Sequence, residues 1–121
     1  MLFRQLFDPV SSTYTYLLAD ETTHDAVLID PVIDQVDRDL ALLDELGLLL
    51  RYTLDTHVHA DHVTAAGTLR ARRGAQTVLS ERAGVGCADV LVKDGDEIRF
   101  GRYSLVVRET PGHTSGCVTY V

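Results

Sequence analysis

The sequence predicts an α/β protein built on a mixed sheet, and three observations lead there. Short apolar runs of strand length recur along the chain. Two longer segments carry apolar residues at helical spacing, and the connections mix tight turns with a helical crossover. Hairpins give antiparallel neighbours and crossovers give parallel ones, so one sheet should hold both. The composition is globular: 121 residues, 45% hydrophobic and 24% charged, enough for a core.

Met1-Leu2-Phe3-Arg4-Gln5-Leu6-Phe7 lacks the charged start and long apolar segment of a secretion signal. Thr13-Tyr14-Thr15-Tyr16-Leu17-Leu18 alternates as a half-buried strand should, with Tyr14, Tyr16 and Leu18 on one face. Ala26-Val27-Leu28-Ile29 reads as its hairpin partner across the polar turn from Asp20 to Asp25, and Pro31 ends it. A helix is expected from an N-cap at Asp34, with Asp37 and Asp39 favouring its dipole. Val36, Leu40, Leu43 and Leu46 form its apolar face, and Gly47 stops it.

Leu48 to Leu54 should be a buried strand, followed by a second helix from about Asp61 to Arg73 with Gly74 as its stop. Val63, Ala66 and Leu69 face inward on that helix. Then come a short strand, Gln76 to Leu79, and a glycine-containing connection through Glu81 to Gly86. Glu97-Ile98-Arg99-Phe100 and Tyr103-Ser104-Leu105-Val106-Val107 flank Gly101-Arg102, which fits a two-residue hairpin. Cys117-Val118-Thr119-Tyr120-Val121 reads as a last strand.

The formal net charge of -7 argues against a nucleic-acid partner, though not against an anionic small substrate. No apolar run approaches the length that spans a bilayer. Cys87 and Cys117 form no C-x-x-C pair and read as reduced, buried thiols of a cytoplasmic protein rather than a disulfide. No repeat, low-complexity tract or linker divides residues 1–121, which read as one domain.

Chemistry concentrates in Thr56-His57-Val58-His59-Ala60-Asp61-His62, three imidazoles and a carboxylate directly after an apolar strand. In extended chain His57 and His59 point the same way, and Asp61 and His62 follow where a helix begins. A metal ion is the usual reason for such a cluster, against the alternative of solvated or core histidines. Thr110-Pro111-Gly112-His113-Thr114-Ser115-Gly116 puts another histidine in a loop between strands. Alone His113 would read as a satisfied loop residue; beside the first cluster it reads as a ligand, because a rigid metal site draws on more than one loop. His24, in a turn between strands, reads as a surface residue.

The His57-to-His62 pattern, H-x-H-x-D-H, together with His113, resembles the signature of the metallo-β-lactamase superfamily. Phe3 to Tyr16, Ala26 to Val32, Asp55 to His62 and Thr110 to Cys117 further resemble persulfide dioxygenases of that superfamily, in the same order. The resemblance implies the first half of a four-layered αββα sandwich. It also implies one Fe(II) held by His57, His113 and a later aspartate, with glutathione persulfide and O2 converted to sulfite and glutathione. His59, Asp61 and His62 would then surround the ligands and orient them and water. The alternative is a glyoxalase II-like thioester hydrolase. There His57, His59 and His113 hold one metal, such as Zn, Asp61 and His62 hold a second, and a bridging hydroxide attacks.

Family members carry the aspartate ligand downstream of the His113 loop, and this sequence stops at Val121 in a strand. The chain therefore reads as a fragment of a longer protein, a half completed by a partner such as its own copy, or a non-catalytic half-domain. By itself it is expected to bind metal weakly and to turn over slowly or not at all.

Overall fold

The computed structural model describes residues 1–10, 12–56, 60–80, 89–109 and 118–120, with backbone alone for 60–64, 80, 109, 118 and 119. Strands β1 (Leu2–Asp8), β2 (Thr13–Ala19) and β3 (Asp25–Ile29) run antiparallel in succession, with Leu2 opposite Ala19 and Tyr16 opposite Ile29. A helical crossover, α1 (Val36–Leu46), leads to β4 (Leu49–Leu54), and α2 (Ala60–Arg73) leads on to β5 (Gln76–Ser80). β4 lies parallel to β3 and β5 parallel to β4, as crossovers dictate. The short β6 (Val90–Val92) joins β5 in parallel, giving one sheet in the order β1-β2-β3-β4-β5-β6. A second sheet holds β7 (Glu97–Phe100), β8 (Tyr103–Glu109) and β9 (Val118–Tyr120), all antiparallel.

Successive side chains of a strand point to opposite faces, and here both faces are buried. On one face Leu17, Ala19, Ala26 and Leu28 pack with Val36, Leu40, Leu43, Ala65 and Leu69 of the helices. On the other, Leu18, Val27, Ile29, Leu54, Val78 and Val92 meet Ile98, Phe100, Leu105 and Val107 of the second sheet. The described residues thus form three layers, helices on sheet on sheet.

Several local expectations need correction. A 3-10 turn at Ile33–Gln35 precedes α1, so Asp34 lies in that turn and Gln35 sits at the N-cap without a side-chain capping bond, its amide donating instead to Asp8 Oδ1 at 3.0 Å. Leu46 is only partly buried on the α1 face, whereas Asp39 is buried with Val36, Leu40 and Leu43. Tyr14, Tyr16 and Leu18 share a face, but it grades from exposed Tyr14 to buried Leu18. The fully enclosed face of β2 is the opposite one, Thr15, Leu17 and Ala19. β1 is an edge strand with only Asp8 buried, held by its ladder to β2, so no apolar face marks it in the sequence.

Gly47 adopts a left-handed φ of 67°, and Leu48 N–H closes on the Leu43 carbonyl at 2.9 Å, the stop expected of glycine there. In β4, Ala26 pairs with Leu50 and Val27 with Tyr52. Arg51 is therefore an extra residue that turns Tyr52 and Leu54 toward the second sheet while Leu50 faces the helices.

Candidate metal centre

In a parallel sheet the carboxyl ends of the strands are where ligands gather, and here those of β3 and β4 open beside one another. Asp30 leaves β3 with a φ of 55°, a left-handed conformation that aspartate tolerates better than most residues. Its N–H donates to the Leu54 carbonyl at 2.8 Å, and its own carbonyl accepts from Thr15 Oγ1 at 2.8 Å. The Asp30 carboxylate accepts Thr56 N–H at 2.8 Å and Thr56 Oγ1–H at 2.7 Å. Both donors of Thr56, the residue immediately before His57, are thereby clamped to one carboxylate.

Between them, Asp55 is 1% exposed and its N–H donates to the Val78 carbonyl at 3.3 Å. Burial, and after it the nearby charge of Asp30, push the Asp55 carboxyl up to about 8. Its carbonyl accepts the hydroxyl of Tyr120 at 3.0 Å. Burial first, then the charges of Asp55 and Asp30, raise the Tyr120 phenol above its ordinary value, so it stays a donor. That bond joins a residue two before His57 to one seven after His113.

His57, His59 and His113 lie outside the described residues, and Asp61 and His62 are placed only as backbone in the first turn of α2. Among the described residues no three metal-binding side chains cluster. His24 is exposed in the β2–β3 turn, its N–H on the Asp20 carbonyl at 2.8 Å, far along the sheet from the Asp55 end. Nothing in the histidine spacing points to Asp30, Asp55, Thr56 and Tyr120, whose bonds tie β3, β4 and β9 together at this end of the sheets. The available signal was a carboxylate directly after each of two apolar strands, at Ile29-Asp30 and Leu54-Asp55.

The donor types fit a transition-metal ion. Imidazole with carboxylate suits iron and zinc alike, and the buried carboxyl groups of Asp30 and Asp55 sit at the ends of β3 and β4, the strand that leads in sequence to His57.

The chain matches the metallo-beta-lactamase superfamily over residues 8–121. Over its full length it is 53% identical to the mitochondrial persulfide dioxygenase ETHE1 of Homo sapiens, covering 48% of that protein. It is 34% identical to the hydroxyacylglutathione hydrolase of Methylococcus capsulatus over 92% of the chain and 43% of that relative. The crystal structure of ETHE1 from Myxococcus xanthus superposes on the whole chain with a TM-score of 0.94 and 56% identity, 53% of that chain being covered. The chain thus spans about half the length of these relatives.

Proposed function

We propose, since this chain belongs to the metallo-beta-lactamase superfamily, that the protein it forms part of is an Fe(II)-dependent persulfide dioxygenase. What supports the reading is the 53% identity across all of the chain to a persulfide dioxygenase, joined to a TM-score of 0.94 against a solved relative of the same name. Glutathione persulfide, O2 and water would give glutathione and sulfite. The sulfane sulfur gives up four electrons, O2 takes four, and the S–S bond breaks to leave the glutathione thiol.

His57 and His113 would hold the iron, with a third, carboxylate ligand from outside this chain. Bound there, iron would supply redox chemistry and open positions for oxygen and sulfur. The chain's own residues do the positioning: Asp30 clamps Thr56 and so fixes the strand exit from which His57 follows. His59, Asp61 and His62 would orient ligands and water around the iron. The two thiols, Cys87 and Cys117, favour a cytoplasmic location, while the human relative is named mitochondrial. A homo-oligomer is also part of the proposal, because β1 and β6 form the two edges of the first sheet among the described residues.

A second reading, a two-metal thioester hydrolase, is favoured by the 34% identity to a hydroxyacylglutathione hydrolase. His57, His59 and His113 would then hold one ion, and Asp61 and His62 the other. The full-length protein, purified with its metal counted, separates the two. Oxygen uptake on glutathione persulfide with one iron per chain supports the dioxygenase. Thioester hydrolysis with two metals and no oxygen uptake sinks it. The same assays on residues 1–121 alone should give weak metal binding and little or no turnover, and full activity there would overturn the need for a third ligand from elsewhere.

A further inference from the structure

Tyr16, Tyr52, Tyr103 and Tyr120 all lie partly buried against the core between the two sheets. Their hydroxyls differ in use. Those of Tyr16 and Tyr103 take bonds at the surface, from Gln5 Nε2 at 3.3 Å and the Met1 amine at 3.2 Å. The hydroxyl of Tyr120 instead reaches from the second sheet to the first and donates to the Asp55 carbonyl. Its strand is set by the antiparallel ladder to β8, with Tyr120 opposite Val107, a fully buried residue. Asp55 is set by its own N–H bond to Val78 of β5. Both ends of the Tyr120 bond are therefore fixed to sheet backbone.

We infer that Tyr120 is a positioning residue of the metal centre. Its hydroxyl bond to the Asp55 carbonyl sets the separation between the chain segments that carry His57 and His113. The inference rests on the proposal that these two histidines hold one metal. A metal site loosens when its supporting groups let ligands drift by about half an ångström. A hydrogen bond tolerates only a few tenths of an ångström in donor–acceptor distance, so it is a gauge of the required stiffness. Ring packing alone lacks that directionality, because dispersion contacts are individually weak and non-specific in angle. The phenol, raised above its ordinary value by burial and by the charges of Asp55 and Asp30, keeps its proton wherever the histidines are free to bind metal.

The test uses the full-length protein as wild type, Tyr120→Phe and Tyr103→Phe. The Fe(II) dissociation constant is read by chelator competition without oxygen, the ferrous–nitrosyl EPR spectrum reports ligand geometry, and thermal unfolding of the metal-free protein reports the fold. Tyr120→Phe keeps the ring and should weaken Fe(II) binding about tenfold with an altered EPR signal, the range seen when groups orienting ligands are removed. Its metal-free unfolding should remain cooperative and close to wild type. Tyr103→Phe, in the same core but with its hydroxyl at the surface, should match wild type in affinity and spectrum.

Wild-type affinity and spectrum in Tyr120→Phe would overturn the inference, as would an equal loss in both variants. Loss of cooperative unfolding in Tyr120→Phe would overturn it too, by making the hydroxyl a folding element. A wild-type protein that binds metal but does not oxidise glutathione persulfide sinks the dioxygenase reading alone. The Tyr120 comparison is then read with Zn(II) in place of Fe(II).

Discussion

The two ends of the molecule each tie sheet to sheet with polar groups, and they use aspartate in opposite ways. At the turn end, Asp20 is fully enclosed yet surrounded by donors. It accepts Arg102 N–H at 2.7 Å, Arg102 Nε–H at 3.1 Å, Arg102 Nη2–H at 3.3 Å and Thr22 N–H at 2.8 Å. The Arg102 guanidinium, partly offset by burial, holds this carboxyl well below the usual carboxylate range. At the strand-exit end, Asp55 is as deeply buried but lies beside another carboxylate, and its carboxyl is pushed up to about 8. One end is arranged so that a negative charge is already satisfied. The other crowds two buried carboxyl groups together, so that one of them holds its proton, close in sequence to the residues proposed to hold a cation. The first end holds the fold together, and the second is where the proposed metal would sit.

That contrast is broken most directly by His57→Ala in the full-length protein. Turnover and stoichiometric metal should both disappear, with thermal unfolding of the metal-free protein close to wild type. Retained metal would show that the working end lies elsewhere. Asp20→Ala should do the reverse. Five donors lose one acceptor, and the melting temperature should fall by roughly 5–10 °C while metal bound per folded molecule is unchanged. Metal loss in proportion to the destabilisation would merge the two ends into one. A smaller effect is expected from Thr56→Val, which removes one of two bonds to Asp30 and leaves the N–H bond in place. Metal affinity, read by chelator competition, should weaken by about tenfold with little change in melting temperature.

The same division decides what the sequence could reveal. The turn end is legible: Asp20 to Asp25 reads as a turn and Gly101-Arg102 as a hairpin, because both depend on residues adjacent in the chain. Gly101 takes a φ of 62°, and a Cβ there would run into Thr23 Oγ1 and the Asp20 side chain, so glycine is needed for a reason beyond the turn itself. The strand-exit end is legible only in its imidazoles, whose spacing has few structural explanations. The expected ligands His57, His59 and His113 lie outside the described residues, so their geometry is a proposal. Asp30, Asp55 and Tyr120 matter through bonds to residues far along the chain, Tyr120 to Asp55 across 65 positions, and no local period encodes these. β1 and the Arg51 bulge leave no signal in the sequence for a related reason. An edge ladder and a one-residue register shift depend on the partner strand, not on the hydrophobic pattern of the strand itself.

Asp39 offers the mildest test, because it combines features of both ends. It is 1% exposed, and its Oδ1 accepts Arg38 Nε–H at 3.1 Å. Its other oxygen has no hydrogen-bond partner among the described residues. Burial raises its carboxyl from 3.8 to about 6, and the Arg38 charge only partly opposes this. The folded state therefore binds this proton more tightly than the unfolded chain does. The resulting stability is fully present below pH 3.8 and is lost as pH rises through about 6. Asp39→Asn removes the titration. Near pH 7 the variant should be more stable than wild type by about 1–3 kcal/mol in denaturant unfolding, less whatever the unpaired Arg38 costs. The difference should shrink steadily toward pH 4. Parallel stability curves across that window would mean that Arg38 fully compensates the buried charge, placing Asp39 with Asp20 rather than with Asp55.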